Sequence, residues 1–150
     1  PMYSLVKRQA EVEMLPMCKS ENIPVVPYSP LGGGLLTGKY SLGSEGRLTN
    51  DAMYKSRYGQ SWMHSAAAAL GDVAKELDVS PITLAIAWVA HNPAITAPIL
   101  SASKSSQLQP SLDAMDYKLD AKLYARLTNL TPTPAPATDR SEEASAGQTL

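Results

Sequence analysis

Short apolar runs with strand character alternate along this chain with segments of helical period, and that order narrows the possible folds more than any other feature. Residues 23–28 (IPVVPY) and 95–100 (ITAPIL) are apolar and rich in β-branched side chains, the pattern of buried strands. A terminal strand near Met2 to Leu5 makes a third. Helical segments lie between and after them. Residues 9–21 read as a helix in two pieces, with Pro16 opening the second. In 63–77, Ala66, Leu70, Val73, Ala74 and Leu77 recur at helical spacing. Ser80 and Pro81 then form an N-cap and first position, ahead of an apolar face of Leu84, Ala85, Trp88 and Val89. Residues 105–116, lined by Leu108, Leu112 and Met115, and 120–130, capped by Asp120 ahead of Leu123, Leu127 and Leu130, predict two more helices. Strand followed by helix, repeated, favours parallel strands joined by helical crossovers. Three such units are too few for a closed barrel, which takes about 250 residues. The chain is therefore expected to be the C-terminal part of a longer protein.

Other features bound what the chain does. Thirteen basic residues stand against fourteen acidic ones, a net charge of −1, so no basic face for nucleic acid is expected. A hydrophobic fraction of 44% excludes a fully disordered chain. The single cysteine, Cys18, rules out an internal disulfide framework, and with two well-separated histidines, His64 and His91, it predicts no metal site. No apolar stretch reaches the roughly 18 residues of a membrane span. A cytoplasmic setting is expected. Pro132, Pro134 and Pro136 open a segment without apolar periodicity. This divides a compact part, residues 1–130, from a tail, residues 131–150, expected to be disordered.

The stretch that carries chemistry is Tyr28-Ser29-Pro30-Leu31-Gly32-Gly33-Gly34-Leu35-Leu36-Thr37-Gly38-Lys39-Tyr40. It leaves the carboxyl end of a predicted strand, where ligands bind in parallel α/β folds. Consecutive glycines let backbone N–H groups crowd around an anion, and Lys39 adds a full charge. A phosphate cradle and a flexible surface turn both fit that glycine content. Residues 29–60 as a whole read as a long functional loop. Gly33 to Lys39 match a nucleotide P-loop until its last position, where Tyr40 stands in place of Ser or Thr, and no helix is expected to follow. The dinucleotide fingerprint fails too, because Thr37 takes the place of its third glycine.

Tyr28 to Tyr40 resembles the strand-seven loop of the aldo-keto reductases, whose form is Y-S-P-L-(G/A)-x-G-x-L-T-G-K-Y. Ser80-Pro81 with Ala85-Ile86-Ala87-Trp88 is similar to the family's S-P-A-Q-x-A-L-A-W helix. Pro98 to Ser103 with Gln107, Leu108 and Leu112 is similar to its P-I-x-G-A-R-x-x-x-Q-L-x-x-N-L segment. The resemblance implies about the last three β/α units of a (β/α)₈ TIM barrel. It implies an oxidoreductase that reduces aldehydes and ketones with NADPH, or with NADH.

Carried over position by position, the resemblance stacks Tyr28 on the nicotinamide. Ser29, Leu31 and Gly33 meet the pyrophosphate with Lys39 nearby, and Gln107 faces the adenosine. Ser103 stands where the family usually has an arginine for the 2′-phosphate, followed by Lys104, which lacks arginine's bidentate fork. Ser111 occupies the usual place of an adenine-reading asparagine. Pro110 predicts that this helix starts as late as Gln109. The family's catalytic Asp, Tyr, Lys and His belong to the first half of the barrel, and no stretch here resembles their surroundings. The chain is thus expected to carry no catalytic residue and to be inactive alone. The alternative is a non-catalytic, cofactor-binding regulatory protein on the same barrel, like a potassium-channel beta subunit. The expected partner is a small carbonyl substrate of the full-length parent, without nucleic acid or membrane.

Overall fold

A computed structural model describes residues 1–43, 45–102 and 104–136. Seven α-helices dominate it: α1 (Met14–Ser20), α2 (Arg47–Asn50), α3 (Ala52–Tyr58), α4 (Ser61–Glu76), α5 (Pro81–His91), α6 (Ser105–Asp116) and α7 (Ala121–Thr128). The expected strands are the main correction. Among the described residues there are only isolated bridges, one of them a parallel bridge between Met2 and Tyr28. The three segments nevertheless run side by side in one direction. Tyr3 N–H donates to the Tyr28 carbonyl (3.2 Å) and Tyr28 N–H to that of Pro1 (2.9 Å). Thr96 N–H donates to Val25 and Ile99 N–H to Pro27, each at 2.8 Å. Pro24, Pro27 and Pro98 have no N–H to give, so the pairing never becomes a continuous ladder.

The helices follow their signals closely. Ser80 accepts from Ile82 N–H and Pro81 opens α5. Asp120 accepts from Leu123 N–H to start α7. Every residue of α5 from Thr83 to Val89 is buried, so this helix is the axis of the core and not merely amphipathic. Leu70 of α4 and Leu127 of α7 pack into the same cluster. A fully buried Leu or Ile stabilises by about 1.5–3 kcal/mol, and Leu84 and Ile86 of α5 are both fully buried.

Three details differ from expectation. Pro16 is the third residue of α1, where the missing N–H has no intrahelical partner to lose. Pro110 lies inside α6, which starts at Ser105 and not at Gln109. The Pro110 carbonyl accepts from the Thr83 hydroxyl of α5 at 2.7 Å, which ties the helix to the core at that point. The inner face of α6 is formed by Ser111 and Ala114, while Leu112 and Met115 are 47% and 59% exposed. Small side chains there allow α6 to sit close against α5.

A polar network closes the other end of the core. The Arg8 guanidinium donates to both Glu11 oxygens (3.0 and 2.9 Å) and to the Thr128 carbonyl and Thr131 hydroxyl (3.1 Å each). Tyr3 Oη donates to Glu11 at 2.8 Å and accepts from the Asn92 amide at 3.0 Å. Trp88 Nε1 donates to Thr128 Oγ1 at 2.9 Å. The first segment, α5 and α7 are thereby joined. Of the expected tail, residues 131–136 carry no regular structure; Thr131 is buried, and Pro132 to Pro134 border a cavity of about 210 Å³ with Leu5, Lys7 and Met63. Residues 137–150 lie outside the described residues.

Candidate functional site

The expected 29–60 loop is built of tight helical turns. Ser29 leaves the middle segment with φ +59°, a left-handed value that costs a non-glycine residue about 1–2 kcal/mol. Gly32, Gly33 and Gly34 continue with φ +57°, +65° and +92°. The turn closes on itself through Gly32 N–H to Ser29 (3.0 Å) and Gly34 N–H to Leu31 (3.0 Å). The Thr37 hydroxyl donates back to Gly34 at 2.8 Å. Glycine is required at position 33 on a second ground: a Cβ there would lie 2.8 Å from Tyr54 Cδ1 and 3.2 Å from Tyr58 Cε2. Two 3₁₀ turns, Gly32–Thr37 and Lys39–Leu42, are followed by α2 and α3, where an open loop was expected. The signal for α3 was present in Asp51, whose carboxylate accepts from Met53 and Tyr54 N–H.

Aromatic side chains wall this turn. Tyr58 is fully buried and stacks with Tyr54 at 6.3 Å between ring centroids. Burial pushes the Tyr58 phenol above its ordinary pKa, and a hydrogen bond from the Ser29 side chain works against that shift. Tyr40, which with Tyr54 and Tyr58 reads from sequence as a pocket wall or lid contact, also ties the turn down. Its hydroxyl accepts from Leu48 N–H at 3.2 Å and lies 3.5 Å from the Gly33 carbonyl, which stitches the turn to α2. Lys39 Nζ lies 4.8 Å from the centre of the Tyr40 ring. A cavity of about 360 Å³ opens behind the turn between Tyr40, Leu48, Lys55, Tyr58 and His64.

The residues singled out from sequence fall into two groups. Tyr28, Ser29, Leu31, Gly33 and Lys39 lie along one turn; Tyr28 is 46% exposed, and Leu31, Gly33 and Lys39 are half-buried. Lys104, Gln107 and Ser111 belong to α6 and its start. Lys104 and Gln107 are exposed, whereas Ser111 is buried. Ser103 lies outside the described residues. Among the described residues, no group of three His, Cys, Asp or Glu side chains is placed to hold a metal ion. No described helix is long and apolar enough to cross a membrane.

The profile of the family described as "Aldo/keto reductase family" matches residues 1–131. The chain is 35% identical over 135 residues to "Uncharacterized oxidoreductase YrpG" of Bacillus subtilis, covering 88% of this chain and 39% of that protein. It is 35% identical over 123 residues to "Probable voltage-gated potassium channel subunit beta" of Arabidopsis thaliana, covering 77% of this chain and 37% of that one. "Protein tas" of Escherichia coli is 28% identical over 127 residues, 83% of this chain and 37% of its own length. The chain spans less than two fifths of the length of these relatives.

Proposed function

The chain belongs to the aldo/keto reductase family, and on that premise we propose that it supplies the coenzyme-holding, C-terminal β/α units of an NAD(P)H-dependent carbonyl reductase. The observation that carries this reading is the left-handed glycine turn at the end of the middle segment, beside an exposed tyrosine and a lysine. The turn suits a diphosphate-linked dinucleotide, because a run of left-handed glycines presents main chain and not bulky side chains at the end of the middle segment. Tyr28 offers its ring to the nicotinamide. Ser29, Leu31 and Gly33 face the pyrophosphate with Lys39 at their edge. Lys104 and Gln107 face the adenosine end, to which the family resemblance also assigns Ser103, and Ser111 backs that end from inside α6. When bound, the coenzyme supplies the hydride. This chain's residues bind and orient it; none serves as the proton donor, so the chain alone reduces nothing.

NADPH is the proposed coenzyme, with NADH the alternative, and small aldehydes or ketones are the substrates of a barrel-length protein. The setting proposed is cytoplasmic. A second reading is supported by the Arabidopsis relative named as a channel beta subunit: the same coenzyme site could serve regulation, with turnover secondary. Titrating a barrel-length protein that carries this chain with NADPH and NADH tests the main claim. Quenching of tryptophan emission with calorimetric heat is expected, and absence of both overturns it. Rapid aldehyde-dependent NADPH oxidation would then exclude the regulatory reading.

A further inference from the structure

Two cations stand beside the glycine turn, and among the described residues neither has a carboxylate partner. Lys7 Nζ lies 5.7 Å from the centre of the Tyr58 ring, and Arg57 Cζ lies 5.6 Å from that of Tyr54. The two rings are stacked on each other, and both border Gly33. The side chains of Lys7 and Arg57 are half-buried. Their charges oppose one another: burial first, and then Arg57, hold the Lys7 ammonium below its ordinary pKa. The ion pairs among the described residues are Arg8–Glu11, Lys75–Asp72 and Arg126–Glu76, none of which includes either residue. Arg47 adds a third cation, 5.6 Å from the Tyr54 ring centre. The aromatic rings hold these cations in position without neutralising them.

We propose that Lys7 and Arg57 form an oxyanion-binding pair at the ligand-bearing mouth, receiving a carboxylate or phosphate group of a molecule bound beside the glycine turn. The inference rests on the coenzyme reading only in taking that mouth as the side where ligands bind. An ammonium and a guanidinium fork held on two stacked rings, both partly shielded from water, suit one compact anion better than a neutral group. Two ligands can bring that chemistry: the phosphates of the coenzyme, or a carboxylate on the carbonyl substrate.

Lysine footprinting of a barrel-length protein that carries this chain tests this directly. The rate at which an amine-reactive acetyl ester modifies Lys7 is followed by mass spectrometry, with Lys75 as the internal reference. A ligand at about ten times its Kd should slow Lys7 roughly tenfold and leave Lys75 unchanged. The probes are inorganic pyrophosphate for the coenzyme source, benzoate for the substrate source, and methyl benzoate as the neutral control. Protection by either anion supports the pair, and which one protects identifies the source. Arg57→Gln should abolish the protection and Arg57→Lys should largely retain it. Lys7 modified at one rate under all conditions would overturn the proposal, as would equal protection by methyl benzoate. Tryptophan quenching by NADPH in the same sample separates this failure from failure of the coenzyme reading, since coenzyme binding can persist while Lys7 stays unprotected.

Discussion

Replacing Glu11 by Gln should destabilise the fold more than any other isosteric change outside the apolar core. The Arg8 side chain is 9% exposed and its guanidinium makes two bonds to the Glu11 carboxylate, while the Glu11 side chain is 23% exposed. The amide would turn donors toward a guanidinium that is itself all donors and would leave Arg8 as an unanswered, shielded charge. Breaking a buried pair in this way costs about 3–5 kcal/mol, and the partial exposure of Glu11 argues for the lower end, near ~3 kcal/mol. Tyr3→Phe, which removes one hydrogen bond to the charged oxygen, should cost about 1.5–3 kcal/mol. Because both changes act on the same oxygen, the double variant should fall short of the sum by at least about 0.5 kcal/mol. Urea unfolding followed by tryptophan fluorescence reads this network closely, since Arg8 Cζ lies 5.7 Å from the Trp88 ring centre. A Glu11→Gln cost below about 1 kcal/mol, or strict additivity with Tyr3→Phe, would refute the reasoning. Domains of this size have only about 5–15 kcal/mol in total, so the expected loss is visible without extrapolation.

Other perturbations probe the remaining levels. Gly33→Ala forces a Cβ into the left-handed region and against Tyr54, so it should cost at least about 1–2 kcal/mol and weaken coenzyme quenching in the titration above; an unchanged thermal midpoint would contradict this. Ser80→Ala should lower stability by about 1 kcal/mol, and Ser80→Gly by only a few tenths, read from the urea midpoint. Leu84→Ala should cost about 2–5 kcal/mol by the same measurement. Burial raises the phenols of Tyr3, Tyr58 and Tyr124. Their unfolded forms release the proton first as pH climbs through the ordinary phenol range near 10, so stability that is fully present below that range must fall above it. In an ultraviolet titration these three of the seven tyrosines should ionise late and together with unfolding; seven independent, ordinary titrations would exclude the shift.

Helix positions were the most legible part of the sequence, because caps act locally. Ser80, Pro81 and Asp120 fix where α5 and α7 begin whatever surrounds them. Strand character was legible only in part. The β-branched runs do bring three segments into parallel register, but a run of apolar letters does not say how many N–H groups remain to pair, and the prolines decide that. Glycine content suggests an open loop over residues 29–60, whereas Asp51 as a cap and Tyr40 as a tether act through geometry two to eight residues away. The inner face of α6 was misjudged for a related reason: close approach to α5 favours Ser111 and Ala114 over the larger side chains beside them. The Arg8–Glu11 pair has the i, i+3 spacing of a local ion pair. Its links to Asn92 and Thr128 span most of the chain and leave no local trace.

The prolines of the parallel segments bear on how the molecule comes together. A layer held by a handful of main-chain bonds cannot template itself; its placement depends on Val25 and Pro27 seating against helices that already stand. The α4–α5 scaffold, with near-neighbour contacts and the Ser80 cap of α5, is the natural first structure, and the edge that carries the glycine turn is the last to lock. In deuterium exchange the few amides of that edge should be the earliest to label, long before those of α5. Bound coenzyme would then act as the missing ladder, slowing exchange at the mouth far more than in the helical core.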